Sequence, residues 1–510
     1  HDRYPYTVEY RYELRYASAL HWNRWFPAGS ALPVELQQFV LDLPPTVQIR
    51  LRAHGSVPDP VTTTRDGRTV MRWRVANRSR YHPEPYGPTW RDQAASLEIA
   101  PVQFVTAGIS GDMRSWNSFG RWYARLRRGR DVLPPDAARR MRELVAGATT
   151  RRDSVRQIYR HLQQTTRYVS VQLGIGGWQP FPAAYVEERG YGDCKALTNY
   201  MKAALAAVGI PSYSVLIYRG YRPPPIDPDF PGNPFNHEIL AVPTASDTLW
   251  LENTSQTAPF DHVAADIEDR YGLWIGEDGG RLVRLPKSTA SHHRQQRTAT
   301  VRLSADGTGR ATVRTLYTGN QQDRVRRSLA HASPRDRHHW LRRRIGLPSF
   351  DLVAADFASV DAHRDTVSLP LTLALPRYAS TTGSRLFVRL NLMNRWTTVL
   401  EAMDAPRTQP IHFAAYPFLD ADSIRYELPA DFAVEAGPSP VHIETDFARY
   451  EATVESDDST LVYHRRLTWH QTTLPPEQYS AFRDFLRQIA RADAAQAVLV
   501  RSPSAGPSGP

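Results

Sequence analysis

The chain contains a single cysteine, Cys194, and its surroundings suggest the first chemistry to consider. Cys194 follows Gly192-Asp193 and begins a run of apolar residues at helical spacing that ends near Gly209. The N-terminal end of a helix carries partial positive charge and unpaired backbone N–H groups, which favour the thiolate form of a cysteine. A thiolate there is a candidate nucleophile, whereas a lone cysteine is more often a small buried hydrophobic residue. Position alone leaves both interpretations open.

A histidine and a carboxylate downstream are the candidate partners of this thiol. His237 opens the predicted strand HEILAVP, after a proline-rich segment at 219–236 that is either a stiff connection or the rim of a cleft. Glu252 lies in the next predicted strand, TLWLENT, on the same face as Trp250. Pairing of these strands would bring Glu252 beside His237, where a carboxylate fixes the ring tautomer and stabilises the imidazolium. The order of nucleophile, base and acid predicts a catalytic triad of Cys194, His237 and Glu252.

The motifs around these residues resemble those of a known superfamily. GDCK, FNHEI and WLENTSQ resemble the transglutaminase-like superfamily, and RYVSVQLGIGGWQPFPAAYVEERGYGDCK resembles the run that leads to the nucleophile in its bacterial members. More narrowly, the chain is similar to bacterial multidomain proteins with an N-terminal DUF3857 domain, a transglutaminase-like core and a C-terminal β domain. The resemblance implies that Cys194 is the nucleophile, His237 the general base and Glu252 the third member. The superfamily more commonly has Asp at the third position, so Glu252 is longer by one methylene, and Asn253 is the alternative.

The resemblance also implies a reaction. We expect acyl transfer through a Cys194 thioester, after attack on a peptide or glutamine-type amide and release of the amine. Water as the acceptor gives a peptidase or amidase, which we favour, and a primary amine gives a protein-crosslinking transglutaminase. A catalytically silent transglutaminase-like scaffold that binds peptide or cell-surface polymer is a third alternative. The backbone N–H of Cys194 is the expected oxyanion donor, and Gln172, Trp178 and Asp193 are candidates for oxyanion or substrate positioning.

Composition limits the other classes of function. The net charge is +11, and 60 of the 63 basic residues are arginines scattered along apparent strands, which is typical of solvated sheet faces rather than of a nucleic-acid module. One cysteine excludes an intramolecular disulfide framework. We expect no cofactor and no metal, since adjacent histidines such as His292 and His293 point their side chains apart. The expected partner is a peptide or protein substrate, with a cell-envelope polymer as an additional candidate.

The ends of the chain and its hydropathy bear on its location. No apolar run approaches the roughly 18 residues that span a bilayer, so we expect no transmembrane segment. The start at His1 shows neither an initiator methionine nor a signal peptide, which suggests a mature or trimmed form. The resemblance implies export to the periplasm or the cell envelope of a bacterium.

The elements that position the candidate residues fall into three predicted regions, so the predicted fold class is multidomain α+β. Residues 1–112 alternate with period two, which predicts a β-sandwich, and the resemblance implies that it is DUF3857-like. Residues 113–290 begin with helical spacing and end in an antiparallel run, and the resemblance implies a transglutaminase-like (papain-like) catalytic core. Residues 295–500 return to β alternation, which predicts a C-terminal β-sandwich-like domain with a closing helix. The tail at 501–510 has too few apolar groups to fold.

Five of the predicted elements are specific enough to compare with a structure. The alternation of YTVEYRYELRY predicts a half-buried strand at 6–16, and RYVSVQLGIGG predicts another at 167–177. Asp153 is a candidate N-cap for the helix that contains Ile158 and Leu162. The residues 299–319 predict a β-hairpin, and a helix is predicted to begin near Tyr479.

Overall fold

The computed structural model describes residues 6–27, 29, 31–361, 365–403 and 405–502 of the 510-residue chain. The protein has a mixed α/β architecture with several open sheets and a large β-rich region toward the C-terminus. This agrees with the multidomain, mixed class predicted from the sequence, while the predicted domain boundaries stay predictions. Most of the predicted tail lies outside the described residues. Among the helices of the described residues, none is long and apolar enough to cross a membrane.

The N-terminal region consists of small antiparallel sheets. Its elements are β1 (Val34–Leu43), β2 (Ile49–His54), β3 (Val61–Arg65), β4 (Arg68–Arg78), α1 (Trp90–Gln93), β5 (Ser96–Pro101), β6 (Gln103–Thr106) and β7 (Ile109–Asp112). The strand order of the first sheet is β1-β4-β3, β2 pairs with β5, and β6 pairs with β7. Trp73 on β4 and Leu97 on β5 belong to the same buried cluster. The first two sheets therefore cover each other's apolar faces.

The predicted strand at 6–16 is wrong. These residues form no strand, and their apolar side chains are exposed, with Tyr6 at 45% and Tyr10 at 80%. Alternation specifies which face a neighbouring sheet would bury, but it does not supply the partner strand. The described residues contain no strand that pairs with this segment.

The central region carries the candidate site and combines helices with one sheet. Its elements are α2 (Trp116–Arg127), α3 (Pro135–Leu144), α4 (Arg151–Thr165), β8 (Arg167–Tyr168), α5 (Ala183–Arg189), β9 (Tyr191–Gly192), α6 (Cys194–Ala206), β10 (Tyr213–Ile217), β11 (His237–Pro243), β12 (Thr248–Leu251), β13 (Tyr271–Gly276) and β14 (Gly279–Arg284). The antiparallel sheet has the order β12-β11-β10-β13-β14. Leu240 and Leu251 on one face pack with α4 and α6, and Ile239 and Trp250 lie in a separate cluster on the other face.

Two local predictions in this region are wrong. The predicted strand at 167–177 extends only over β8, which pairs in parallel with β9, and the chain then forms a loop with a 3₁₀ turn at Gly174–Gly177. Gly174 has a φ of +56°, which does not fit a strand. The N-cap of α4 is Thr150 rather than Asp153, because the Thr150 hydroxyl accepts a hydrogen bond from the backbone N–H of Asp153.

The C-terminal region is dominated by an eight-stranded sheet. Its elements are β15 (Arg294–Leu303), β16 (Gly309–Thr318), α7 (Gly319–Leu329), α8 (Pro334–Arg344), β17 (Asp351–Ala355), α9 (Ala358–Asp361), β18 (Thr366–Leu375), β19 (Ser380–Thr382), β20 (Arg385–Arg389), β21 (Ile411–His412), β22 (Phe418–Glu427), β23 (Phe432–Ala436), β24 (Val441–Glu444), β25 (Ala448–Ser456), β26 (Thr460–Trp469), β27 (Thr473–Leu474), α10 (Tyr479–Asp493) and β28 (Gln496–Arg501). The large sheet has the order β17-β18-β16-β15-β22-β26-β25-β24, and β19-β20-β28-β23 form a smaller one. Buried side chains of both sheets and of α10 form one core.

The predictions for this region are partly confirmed. The hairpin is confirmed as β15 and β16, and the closing helix is confirmed as α10. The helices α7 and α8 and the strand β28 after α10 were not predicted. The helix α8 contains the arginine-rich run RHHWLRRR, whose weak apolar pattern does not stand out in sequence.

A close approach between two glycines seats α2 on the sheet. A Cβ added to Gly120 on α2 would collide with the backbone of Gly280 on β14, and a Cβ on Gly280 would lie 2.5 Å from the carbonyl oxygen of Trp116. The helix and the strand therefore pack backbone to backbone. This contact matters for the site because α2 also carries Tyr123 and Arg127, which contact the residue after His237.

We predict that Gly120→Ala destabilises the protein by roughly 1–3 kcal/mol, because the added methyl group has no space. Calorimetric melting would measure the loss. Gly147→Ala is the matched control, since nothing lies within 4 Å of a Cβ at that position. Equal melting temperatures for Gly120→Ala and Gly147→Ala would contradict the close packing of α2 on β14.

Candidate active site

Cys194 is the first residue of α6 and is buried at its N-terminal end. The side chain of Asp193 caps the helix, with Oδ1 accepting from the N–H of Ala196 at 3.0 Å. Its Oδ2 accepts from the Lys195 ammonium at 2.5 Å. Both oxygens of Asp193 are thus engaged in fixing the start of the helix. Cys194 is 5% exposed, so its thiol is buried.

His237 and Glu252 are in direct contact. His237 is the first residue of β11, and Glu252 directly follows β12. The two strands are antiparallel, with Ala241 opposite Trp250, so the alternation from these positions brings His237 and Glu252 to the same side. The Nε2 of His237 lies 2.8 Å from Oε2 of Glu252. The side chains are 8% and 4% exposed, so the pair is buried.

The alternative third residue, Asn253, lies on the opposite side of the strand. Its Nδ2 donates to Oγ1 of Thr198 on α6 at 3.1 Å. Asn253 therefore links the end of β12 to the helix of Cys194, and Glu252 is the residue that contacts His237.

The pKa of His237 is influenced by Glu252 and by Cys194. Burial alone would lower the pKa of His237, but the charge of Glu252, a hydrogen bond with Cys194 and a hydrogen bond with Glu252 outweigh burial and raise it to about 10. Burial would raise the pKa of Glu252, yet the charge and hydrogen bond of His237, followed by the charge of Arg219, hold it far below its ordinary value. Because Nε2 is used by Glu252, Nδ1 is the ring nitrogen left for the thiol.

Two further residues complete the surroundings of Glu252. Its Oε1 accepts from the backbone N–H of Thr254 at 2.9 Å and also from the Thr254 hydroxyl. Its Oε2 accepts from Nη1 of Arg219 at 2.8 Å. Neither residue could be recognised from the sequence, because Thr254 lies past the strand and Arg219 is one arginine among many. The nearest feature noted in the sequence was the proline-rich segment at 219–236, of which Arg219 is the first residue.

The residue after His237 is held in a second buried network. Glu238 has no exposed surface, and its Oε1 lies 2.7 Å from Nη1 of Arg127. Its Oε2 accepts from the hydroxyl of Tyr123 at 2.7 Å. Burial and then the charge of Glu238 raise the pKa of Tyr123 well above its ordinary value, and the charge of Cys194 acts in the same direction. This network joins α2 to β11 at the position next to His237.

The segment at 219–236 is tied at both ends. The N–H of Arg219 donates to the side chain of Asn236 at 2.6 Å, and Asn236 Nδ2 donates back to the Arg219 carbonyl at 3.1 Å. The segment therefore begins and ends beside His237. The segment is therefore close enough to His237 to shape the access of a substrate to the candidate site.

The middle of this segment is held by the N-terminal region. The ring of Phe230 lies between the guanidinium groups of Arg50 and Arg52, at 4.8 and 4.6 Å. Arg50 also donates to the Pro231 carbonyl at 2.5 Å, and Arg52 pairs with Asp227. The strand β2 is thus a support for the segment that leads into His237.

The structure gives no contact between Cys194 and the other two positioning candidates. Gln172 is exposed in the loop after β8. Trp178 is half-buried, and its ring packs near His21 at 5.0 Å and Trp122 at 5.3 Å. The loop that carries them does begin beside the nucleophile, because the N–H of Val169 donates to the Gly192 carbonyl at 2.9 Å. Within the described residues, no group of three or more His, Cys, Asp or Glu side chains is arranged to hold a metal ion.

We predict that His237 makes the stability of the protein depend on pH. A raised pKa in the folded state contributes stability that is complete below pH about 6.5 and is lost as the pH rises toward 10. The difference in melting temperature between wild type and His237→Gln should therefore shrink from pH 6 to pH 10. His442→Gln, at an exposed position, is the control. A difference that grows with pH would contradict the buried ion pair.

Comparisons with known proteins concern the fold and the two ends of the chain. The family model DUF3857, described as a domain of unknown function with a solved structure, matches residues 1–80. The model DUF3858, described in the same way, matches residues 384–499. The first match agrees with the DUF3857 domain that the sequence suggested at the N-terminal end. A search of curated proteins found no significant match.

Two solved structures resemble the chain. A crystal structure from Parabacteroides distasonis, titled a "putative protease", is 12% identical, with a TM-score of 0.58 over 95% of this chain and 75% of that chain. A crystal structure from Cytophaga hutchinsonii, titled a "putative cysteine protease", is 10% identical and covers 50% of this chain and 82% of that chain. Its TM-score of 0.23 is too low to compare folds. The first likeness extends over nearly the whole chain, so the chain has the overall fold of that Parabacteroides protein.

Proposed function

We propose that this protein is a cysteine-dependent acyl-transfer enzyme that hydrolyses peptide or glutamine-type amides. The observation that carries the proposal is the buried His237–Glu252 contact of 2.8 Å, together with the influence of Cys194, at the start of α6, on the raised pKa of the same ring. A thiol, an imidazole and a carboxylate in that order form the arrangement that activates a cysteine nucleophile. In this proposal Cys194 is the nucleophile, His237 the acid and base, and Glu252 the residue that orients the ring.

The proposed reaction begins with the thiolate of Cys194 and the imidazolium of His237. Sγ forms a bond to the amide carbon, and the carbonyl electrons move onto oxygen. The intermediate collapses, the carbon–nitrogen bond breaks, and the amine leaves with the proton from Nδ1 of His237. Water then attacks the thioester and gives a proton to His237. The carbon–sulfur bond breaks, which releases the acid and restores the thiolate.

The developing oxyanion needs donors, and the helix end supplies them. The first N–H groups of a helix have no partner within the helix. At α6 the cap uses the N–H of Ala196, which leaves the N–H of Cys194 as the donor nearest to the thiol. We propose this N–H as the oxyanion donor and assign no part in the reaction to the exposed Gln172.

The finer fold assignment belongs to the same proposal. We propose that the central region is a transglutaminase-like core between two β-rich regions. The support is the helix-borne Cys194, the order of the strands that carry His237 and Glu252, and the sequence motifs around all three. The description of the Parabacteroides protein as a "putative protease" points in the same direction. Export to a bacterial envelope follows from the sequence resemblance alone.

Hydrolysis is favoured over transfer to an amine by the burial of the site. Cys194 and the ring of His237 are buried, and the two ends of the segment at 219–236 are hydrogen-bonded to each other beside His237. Such an approach admits water more readily than the lysine side chain of a second folded protein. Transfer to an amine is the alternative that the second experiment below distinguishes.

We predict that iodoacetamide modifies Cys194 rapidly at pH 6 in the wild type and slowly in His237→Ala. The variant loses the imidazolium that pairs with the thiolate, so its thiol should react only as the pH approaches about 8.5. Because the chain has one cysteine, intact-protein mass spectrometry counts the product directly. Identical rate profiles in the two proteins would argue for the catalytically silent scaffold.

We predict that the wild type cleaves an internally quenched peptide library, and that Cys194→Ala abolishes cleavage. The thioester has no other nucleophile to form on, so the loss should be complete within detection. Addition of a primary amine in excess should leave hydrolysis products dominant in mass spectra. Dominant amine adducts would instead identify a transglutaminase.

A further inference from the structure

Arg219 contacts the carboxylate of Glu252, the third residue of the candidate triad. Its Nη1 donates to Oε2 of Glu252 at 2.8 Å, and its Nε donates to Oδ2 of Asp266 at 3.0 Å. The same Oε2 lies 2.8 Å from Nε2 of His237. One carboxylate oxygen therefore serves two cationic partners, a guanidinium and an imidazolium.

The two cations also face each other. Nη1 of Arg219 lies 3.5 Å from Nε2 of His237. Two like charges at this distance repel each other. Each cation therefore weakens the attraction between the shared oxygen of Glu252 and the other cation. The position of Glu252 does not depend on Arg219 alone, because Thr254 binds the other oxygen. The distinctive contribution of Arg219 is thus its charge at Oε2.

We propose that Arg219 is a positioning residue of the site, whose guanidinium shares Oε2 of Glu252 with His237 and so limits how tightly the carboxylate holds the imidazolium proton. Its part in turnover rests on the proposed function. An imidazolium that binds its proton too strongly is a poor acid toward a leaving amine. By weakening the attraction of Glu252, Arg219 keeps the imidazolium acidic enough to give up its Nδ1 proton, while Glu252 still orients the ring through Nε2.

The charged and titratable groups around the ring come from three elements. Cys194 lies on α6, Glu252 follows β12 and Arg219 follows β10. Asp266 and Asp323 act on Arg219 and hold its charge in place. The hydroxyl of Tyr159 donates to the backbone carbonyl of Glu252 at 2.9 Å and not to its carboxylate.

The test is the titration of the His237 ring in the full-length chain. Histidine labelled with ¹³C at Cε1 gives one NMR signal per ring, and His237→Gln identifies the signal of interest. Arg219→Gln removes the charge and should raise the midpoint of this titration by roughly one pH unit. Arg219→Lys keeps the charge and should leave the midpoint within a few tenths of a unit of wild type. An unchanged or lower midpoint in Arg219→Gln would overturn the proposal.

Arg270 provides the matched control. It donates to the carbonyl oxygens of Tyr218 and Gly220 at 2.9 and 2.6 Å, so it supports the same stretch of backbone. Arg270→Gln should loosen that backbone without moving the titration. If it reproduces the shift of Arg219→Gln, the effect is mechanical and the proposal is wrong.

A second variant separates the proposed effect of the Arg219 charge from misfolding caused by an unpaired carboxylate. Arg219→Gln leaves the half-buried carboxylate of Asp266 without its cation, and Arg219→Gln/Asp266→Asn removes that carboxylate too. The double variant should show the same upward shift, and Asp266→Asn alone should not. A double variant with the wild-type midpoint would overturn the proposal.

Turnover gives an independent reading. An amide needs the proton of His237 for its leaving group, whereas an activated ester does not. Arg219→Gln should therefore lower kcat for an amide about threefold more than for the matching ester, as expected for a one-unit change in acid strength. If Arg219→Gln raises the titration midpoint but the wild type cleaves neither substrate, the role of Arg219 is supported and the proposed function is refuted. Equal losses on amide and ester would refute the role of Arg219 in proton release.

Discussion

The structure around the candidate site depends on keeping one ion pair buried. Taking a carboxylate and an imidazolium out of water is costly, and the pair is stable only if the remaining oxygens and N–H groups find partners. Glu252 meets this condition with donors on both oxygens, from Arg219, Thr254 and His237. The order of strands β12-β11-β10 brings these donors together, because the ends of three neighbouring strands meet at one edge.

The strand β11 places a charged residue on each of its faces at the same edge. His237 turns toward Glu252, and the next residue, Glu238, turns toward Arg127 and Tyr123 of α2. Both oxygens of Glu238 contact buried partners within this network, and we assign the network a structural part. It holds the start of β11 against α2. This support helps to keep His237 in position for its contact with Glu252.

The sequence predicted the contact between His237 and Glu252 better than it predicted the residues around them. The position of Cys194 at a helix start and the shared side of His237 and Glu252 could be predicted because helices and alternating strands have clear periodicities in sequence. The strand at 6–16 failed because alternation says nothing about whether a partner exists. Arg219 and Thr254 could not be found, since their parts depend on a loop whose ends meet only in three dimensions. The domain boundaries and the roles assigned in the reaction stay predictions.

The support that β2 gives to the segment before His237 also affects when the site can form. Arg50 and Phe230 are 180 positions apart in the chain, and their contact is made only when distant parts of the chain have come together. Contacts of such long sequence separation form late, because the entropy of closing the loop must first be overcome. The helix of Cys194 can appear early, from local interactions alone. The support for the segment before His237 is therefore completed late in folding, after the helix that carries Cys194 can have formed.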